Sequence, residues 1–265
     1  MYSAIELAIK FSRYYLTSSN GKGHGIHSPF LFSFVENILN DKRNYEPYDK
    51  IEKLRNELMT REEILTVEDF GAGSTISKSN KRKVGGIARS ALKPKKFGQL
   101  MHRMVQQYKP TTIVELGTSL GVTSSYLASG NPDTTLYTFE GANEIAAVAT
   151  KNFEQLSLQN IELIQGNFDD TLAPQLLKIP KVDFAFVDGN HRKQPTLNYF
   201  HQLVDKADEN SIFIFDDIHW SKEMEAAWKN IQVHPSVTLT IDLFFIGIVF
   251  FRKEQKVPQH FVIRF

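Results

Sequence analysis

Residues 114–121 read VELGTSLG, and the segments on either side of them decide what kind of fold this chain adopts. In front lies TTIVEL (111–116), a short apolar run; behind, GVTSSYLASG opens with small residues and continues at helical spacing. A glycine-punctuated loop that leaves a strand and enters a helix turns its backbone N–H groups and the positive helix end toward a ligand. A second stretch, VEDFGAGS (67–74), has the same rhythm of apolar residue, acid and glycines. The residues after it, TISKSNKRKVGG, are polar, charged and poor in helix formers, so the strand–loop–helix context is missing. The cofactor loop is therefore 114–121, and 67–74 is a substrate-side segment or a plain turn.

From about residue 111 onward, short apolar runs alternate with helical patterns. TLYTFE (135–140), IELIQ (161–165), VDFAFVD (182–188) and SIFIFDD (211–217) read as buried strands, with apolar residues at helical spacing between them. That alternation predicts a parallel sheet covered by helices. After a last helix at KEMEAAWKNI (222–231), VTLTIDLF (237–244) and GIVFFRK (247–253) follow each other too closely for a parallel crossover, so they pair as an antiparallel hairpin. The first 110 residues lack the alternation. Amphipathic stretches at 3–16, 29–40, 47–59 and 97–108 predict a helical extension packed on the sheet domain.

Composition narrows the class. The 265 residues are 42% hydrophobic and 23% charged, with 31 basic against 30 acidic side chains, so overall charge points to no polyanionic partner. The absence of cysteine excludes disulfides, thiolate metal sites and cysteine nucleophiles. The opening MYSAIELAIKFSRYYL is amphipathic rather than a signal-like apolar run, and LFFIGIVFF (243–251) is too short to span a bilayer. The expectation is a cytoplasmic protein with no membrane partner. The apolar hairpin at 237–251 is either core or a surface for a homodimer.

A dinucleotide loop would place glycines at 117, 119 and 122, where this chain has Gly117, Ser119 and Val122. That disfavours an NAD-dependent oxidoreductase. Glu140 ends the next strand, where a carboxylate can accept both hydroxyls of a ribose, although a strand-end charge can also simply be solvated.

Taken together, VELGTSLG, YTFEG (137–141), QGNFDD (165–170), FVDGNH (186–191) and FDDIHW (215–220) resemble the class I S-adenosylmethionine-dependent methyltransferases over roughly residues 95–253. Within that class the chain resembles the bacterial small-molecule O-methyltransferases of the catechol O-methyltransferase-like group. The resemblance implies an α/β fold with a Rossmann-like, seven-stranded, mostly parallel sheet ending in an antiparallel hairpin, plus the N-terminal helical extension. It divides the chain into a helical cap at 1–94 and a methyltransferase domain at 95–265. It implies that Glu115, Gly117, Ser119 and Gly121 surround the methionine part of S-adenosylmethionine, that Glu140 binds the ribose, and that Asn167 and Phe168 flank the adenine. Phe168 reads equally well as a core aromatic. Ser119 departs from the family's middle glycine.

The strand ends carry the chemistry. Asp188, Asn190, His191, Arg192 and Lys193 follow the fourth strand, and Asp216, Asp217 and His219 follow the fifth. DGNH stands where relatives that methylate exocyclic amines have an Asn/Asp-Pro-Pro-aromatic motif, which argues against that subclass. The resemblance places Asp188 at the cofactor as well, and makes Asp188, Asp216 and Asp217 a candidate oxygen site for Mg2+, which would lower the pKa of a substrate hydroxyl. Strand-end aspartates also cap helices. His191 is the first candidate for general base and His219 the second, with Lys193 behind them.

Residues 78–96 contain Lys78, Lys81, Arg82, Lys83, Arg89, Lys93, Lys95 and Lys96 and no acid. They read as a solvated face, or as a lid over an anionic small-molecule substrate. A nucleic-acid partner ranks last, since no RNA-binding module accompanies them. His24 and His27 sit in GKGHGIHSPF without a secure metal spacing, whereas Ser28-Pro29 reads as a helix start. The rival from another class is a non-catalytic nucleotide- or RNA-associated module that kept the fold.

Overall fold

The computed structural model describes residues 1–19, 21, 28–67 and 80–265. His24, His27, Lys78 and residues 68–74 of VEDFGAGS lie outside them. From the N-terminus the elements are α1 (Ala4–Thr17), α2 (Pro29–Phe34) running into a π-helical turn at Val35–Leu39, α3 (Glu46–Thr60), β1 (Ile64–Thr66), β2 (Lys81–Lys83), α4 (Val84–Ala91) and α5 (Lys95–Tyr108). Next come β3 (Thr112–Leu116), α6 (Val122–Gly130), β4 (Thr135–Glu140), α7 (Asn143–Gln155), β5 (Ile161–Gln165), α8 (Phe168–Lys178), β6 (Phe184–Val187) and α9 (Lys193–Val204). The chain closes with β7 (Ile212–Asp216), α10 (Lys222–Gln232), β8 (Leu239–Asp242), β9 (Ile246–Phe250) and β10 (Gln259–Val262). Eight of the ten strands belong to one mostly parallel sheet, one more than expected. The chain divides into two compact units, residues 43–179 and residues 1–42 with 180–265.

In the unit 43–179, β3, β4 and β5 run parallel, with Val114 opposite Tyr137 and Leu136 opposite Ile161. From Ile113 to Leu116 every side chain of β3 is buried, as a strand covered on both faces requires. Tyr48, Ile51, Leu54 and Leu58 recur at helical spacing along α3 and share a core with Val84, Ile87, Leu120, Val122 and Tyr126. This helix therefore packs on the same residues that shape the 114–121 loop. Outside the main sheet, β1 and β2 pair antiparallel with Leu65 opposite Arg82. Helix α4 was not expected, because Gly85-Gly86 reads as a pliable pair. Gly85 instead allows close approach: a Cβ there would lie 2.7 Å from the Met59 carbonyl oxygen and 3.0 Å from that of Arg61.

In the other unit the strand order is β10-β8-β9-β7-β6. β6 and β7 are parallel, β9 runs antiparallel to both β7 and β8, and β10 returns parallel to β8 at the edge. The hairpin expected at 237–251 is thus β8–β9, and its strands are buried throughout, which makes it core. β10 escaped the sequence reading because Gln259-His260-Phe261-Val262 is short and half polar. Ser28 does cap α2, its hydroxyl accepting from the Leu31 N–H at 3.3 Å with Pro29 in the first turn. α1 opens with a capping box between Ser3 and Glu6 and docks through Tyr14, whose hydroxyl donates to the Ile263 carbonyl, and through Phe11, edge-on to Phe244 at 5.1 Å. Among the described residues no helix is long and apolar enough to cross a membrane.

Candidate active site

The 114–121 loop is built from β3 and the carboxyl end of β4. The Gly117 and Thr118 N–H groups both donate to the Phe139 carbonyl, at 3.1 and 3.0 Å. Gly117, Ser119 and Gly121 all have positive φ, at 106°, 48° and 79°. Ser119 therefore holds the left-handed conformation for which glycine is the ordinary choice, at a cost of order 1 kcal/mol, and the loop keeps its shape without the glycine. Gly121 caps α6, and a Cβ added there would lie 2.5 Å from Phe153. Gly121→Ala is thus expected to lower stability by about 2 kcal/mol or more, combining overpacking with left-handed strain, measurable as the chemical-denaturation midpoint.

Glu140 is the hinge of this cradle. One carboxylate oxygen accepts from the Ser119 N–H at 2.8 Å, the other from the Ala142 N–H at 2.9 Å. Burial raises its pKa above the ordinary glutamate value, and the Ala142, Ser119 and Gly141 N–H groups oppose that rise. The loop and the acidic strand end, read separately in the sequence, are one hydrogen-bonded unit. Glu115 differs from expectation: it is fully buried beneath the loop, accepting from the Thr138 hydroxyl at 2.6 Å and from the Ser124 hydroxyl. A carboxylate removed from water needs such donors, so its role is to hold the first turn of α6 against β3 and β4. Nothing in the sequence marked Ser124 or Thr138 as its partners. Asn167 caps α8, its side-chain oxygen accepting from the Asp169 N–H at 3.1 Å, and Phe168 beside it is half-buried rather than a core ring.

At the carboxyl ends of β6 and β7, Asp188, His191 and Asp216 converge. Each offers one ligand atom within 4.8 Å of the others, and His191 Nε2 lies 3.4 Å from Asp188 Oδ1. Asp216 is fully buried, while Asp188 and His191 are partly accessible. Asn190, His191 and Asp217 have φ of 65°, 31° and 53°, a concentration of left-handed non-glycine residues of the kind found where a site dictates backbone shape. Asp217, expected in the metal set, is outside this convergence; its N–H donates to the Phe245 carbonyl at 2.7 Å. Trp220, which the sequence reading passed over, places its ring 5.6 Å from that of His191.

His219 has a different task from the one expected of it. Its Nδ1 lies 3.1 Å from Glu225 and its Nε2 2.7 Å from Asp242, with the ring stacked on Phe244. Burial alone would lower its pKa, but the Asp242 and Glu225 carboxylates outweigh burial and raise it. Both ring nitrogens face carboxylates, so His219 is held between Asp242 and Glu225. Lys10 of α1 and Tyr2 just ahead of it bind the same Glu225, at 2.8 and 2.7 Å.

Residues 114–218 match the profile of a family described as a methyltransferase domain. No curated protein matches the chain by sequence. Solved structures similar in fold include the SAH-bound Podospora anserina methyltransferase PaMTH1, with a TM-score of 0.59 at 13% identity over 96% of this chain and 98% of that one. The O-methyltransferase from Bacillus cereus, in complex with SAH, gives 0.55 at 18% identity over 83% and 97%. The O-methyltransferase TomG from Streptomyces achromogenes, involved in tomaymycin synthesis and bound to SAM, gives 0.56 at 15% over 79% and 91%. Cradle, sheet order and profile together define the class I methyltransferase fold. Residues 114–218 are thus similar to a methyltransferase domain, and the fold is one shared with methyltransferases of known structure.

Proposed function

We propose that the protein transfers the methyl group of S-adenosylmethionine to an oxygen of a small molecule. The observation that carries this reading is Glu140 bonded to the Ser119 N–H, which joins a loop suited to the cofactor's methionine end to a carboxylate suited to its ribose. The half-buried Phe168, at the head of α8 beside Asn167, supplies a face for adenine. The acceptor's hydroxyl oxygen attacks the sulfonium methyl carbon. As the new C–O bond forms, the C–S bond breaks and its electron pair stays on sulfur, leaving a neutral thioether. The hydroxyl proton goes to His191, which Asp188 faces at 3.4 Å.

A second reading of the same cluster is a divalent cation held by Asp188, His191 and Asp216. Two carboxylates with an imidazole suit Mn2+, Fe2+ or Zn2+ better than Mg2+, whose preference is for oxygen alone. A bound cation would supply a lowered pKa for the acceptor hydroxyl. Labelled-methyl transfer to a panel of small hydroxylated acceptors tests the activity. With a responsive acceptor, His191→Gln is expected to lower kcat by about 100-fold or more while cofactor affinity stays unchanged. Dialysis against a chelator separates the two readings. Unchanged turnover assigns His191 as the base, whereas turnover lost and restored by Mn2+ assigns the cation. The acceptor is further proposed to be anionic, on the strength of Lys81, Arg82, Lys83 and Arg89 along β2 and α4. The cell compartment proposed is the cytoplasm, and the helical cap is proposed to end near residue 94.

A further inference from the structure

We propose that two copies of this chain associate through α1, packed antiparallel about a two-fold axis beside Ile9. The inward face of α1 has partners: Tyr14 and Phe11 lie on Phe244, and Lys10 binds Glu225, which also accepts from Tyr2 just ahead of the helix. The opposite face has no such reason to be apolar, yet Ile5, Ile9 and Leu16 are 74%, 64% and 80% exposed. With the exposed Ala8 and Ser12 they form a stripe at positions 5, 8, 9, 12 and 16, the spacing of a helix–helix seam. The patch continues past the helix, because Tyr15, Phe11 and Phe245 are also exposed and Phe11 lies 6.4 Å from Tyr15 and 5.8 Å from Phe245. Contiguous exposed apolar surface of this kind marks an interaction site.

Charge complementarity selects the partner. Glu6 and Arg13 are exposed on one flank of the stripe, seven residues apart. An antiparallel copy centred midway between them sets each Glu6 against the other chain's Arg13, twice by symmetry. In the same register Ile5 falls between Ser12 and Leu16 of the second copy. Ile9 then faces its own counterpart across the axis. A lipid surface is the weaker occupant, since a helix lying on lipid carries a basic flank, whereas here Lys10 is held by Glu225 and Arg13 is balanced by Glu6.

The chain has no cysteine, so a single introduced thiol reports the register directly. In the proposed packing the two Ile9 positions face each other, while the two Leu16 positions lie about 20 Å apart along the helices, far beyond the roughly 7 Å that a disulfide tolerates. The full chain is expected to sediment as a dimer at micromolar concentration. Mild oxidation should crosslink Ile9→Cys and leave Leu16→Cys uncrosslinked. Ile9→Asp should shift the mass from dimer to monomer with its circular dichroism unchanged, and should remove the concentration dependence of the melting temperature. A monomeric wild type would overturn the proposal, as would crosslinking of both cysteine variants or a dimer that survives Ile9→Asp. A monomer that co-floats with anionic phospholipid vesicles would overturn it in favour of a lipid surface.

Discussion

Glu140→Ala is expected to weaken binding of S-adenosylmethionine about 100-fold, equivalent to roughly 3 kcal/mol, with little loss of fold stability. Two effects combine. The variant removes the acceptor proposed for the ribose hydroxyls, and it releases the Ser119 N–H that fixes the middle of the 114–121 loop. Stability should barely suffer, because burial raises the pKa of Glu140. A carboxyl whose pKa rises on folding opposes folding when ionised, and the opposition disappears only as the pH falls below the unfolded-state value. Glu140→Gln, which keeps one acceptor and sheds the charge, should sit near tenfold weaker binding and fold at least as stably as the parent. Calorimetric titration of the three proteins, each with a thermal melt, checks both halves. A variant that loses stability but binds as before would make Glu140 structural only.

The second large effect is acid sensitivity from His102. It is 2% exposed on α5, in ring contact with Tyr45 and Tyr48, with Nδ1 placed 3.3 Å from the Tyr126 carbonyl and 3.2 Å from the Ser129 hydroxyl. Burial drives its pKa from 6.5 down to about 4. The unfolded chain takes up a proton near pH 6.5 and the folded chain does so only near 4, so stability falls across that interval by roughly 3 kcal/mol. His102→Leu should flatten that part of the stability profile while costing about 1 kcal/mol at pH 8 through the lost hydrogen bond. Denaturation midpoints between pH 4 and 8 measure it, and equal slopes for the two proteins would show that His102 stays solvated. Glu225 and Asp208, whose pKa values fall on folding, act in the same direction in both proteins and cancel from the difference.

How much of this was legible in the sequence depended on how local each signal was. The strand–loop–helix at 111–130 and the closely spaced apolar runs at 237–253 are written in adjacent residues, and periodicity reads adjacent residues well. β10 and α4 were missed because each contradicts its local composition: the first is a polar strand held by pairing with β8, the second a helix containing two glycines held by packing. The site divided in the same way. Gly117, Gly121 and Glu140 announce themselves by motif. The partners that give Glu115 and His219 their tasks come from residues 6 to 23 positions away, and spacing along the chain does not encode those contacts. Hence His219 reads as a base in the sequence, whereas in the fold both its ring nitrogens are held by the carboxylates of Glu225 and Asp242.

The most direct test of the central claim is calorimetric titration of S-adenosylmethionine and S-adenosylhomocysteine into the full chain, with NAD as the control. Saturable one-to-one binding of both sulfur nucleotides without NAD binding is the predicted result. Folded protein that binds neither would contradict the account at its root, leaving a methyltransferase fold whose cradle holds something else.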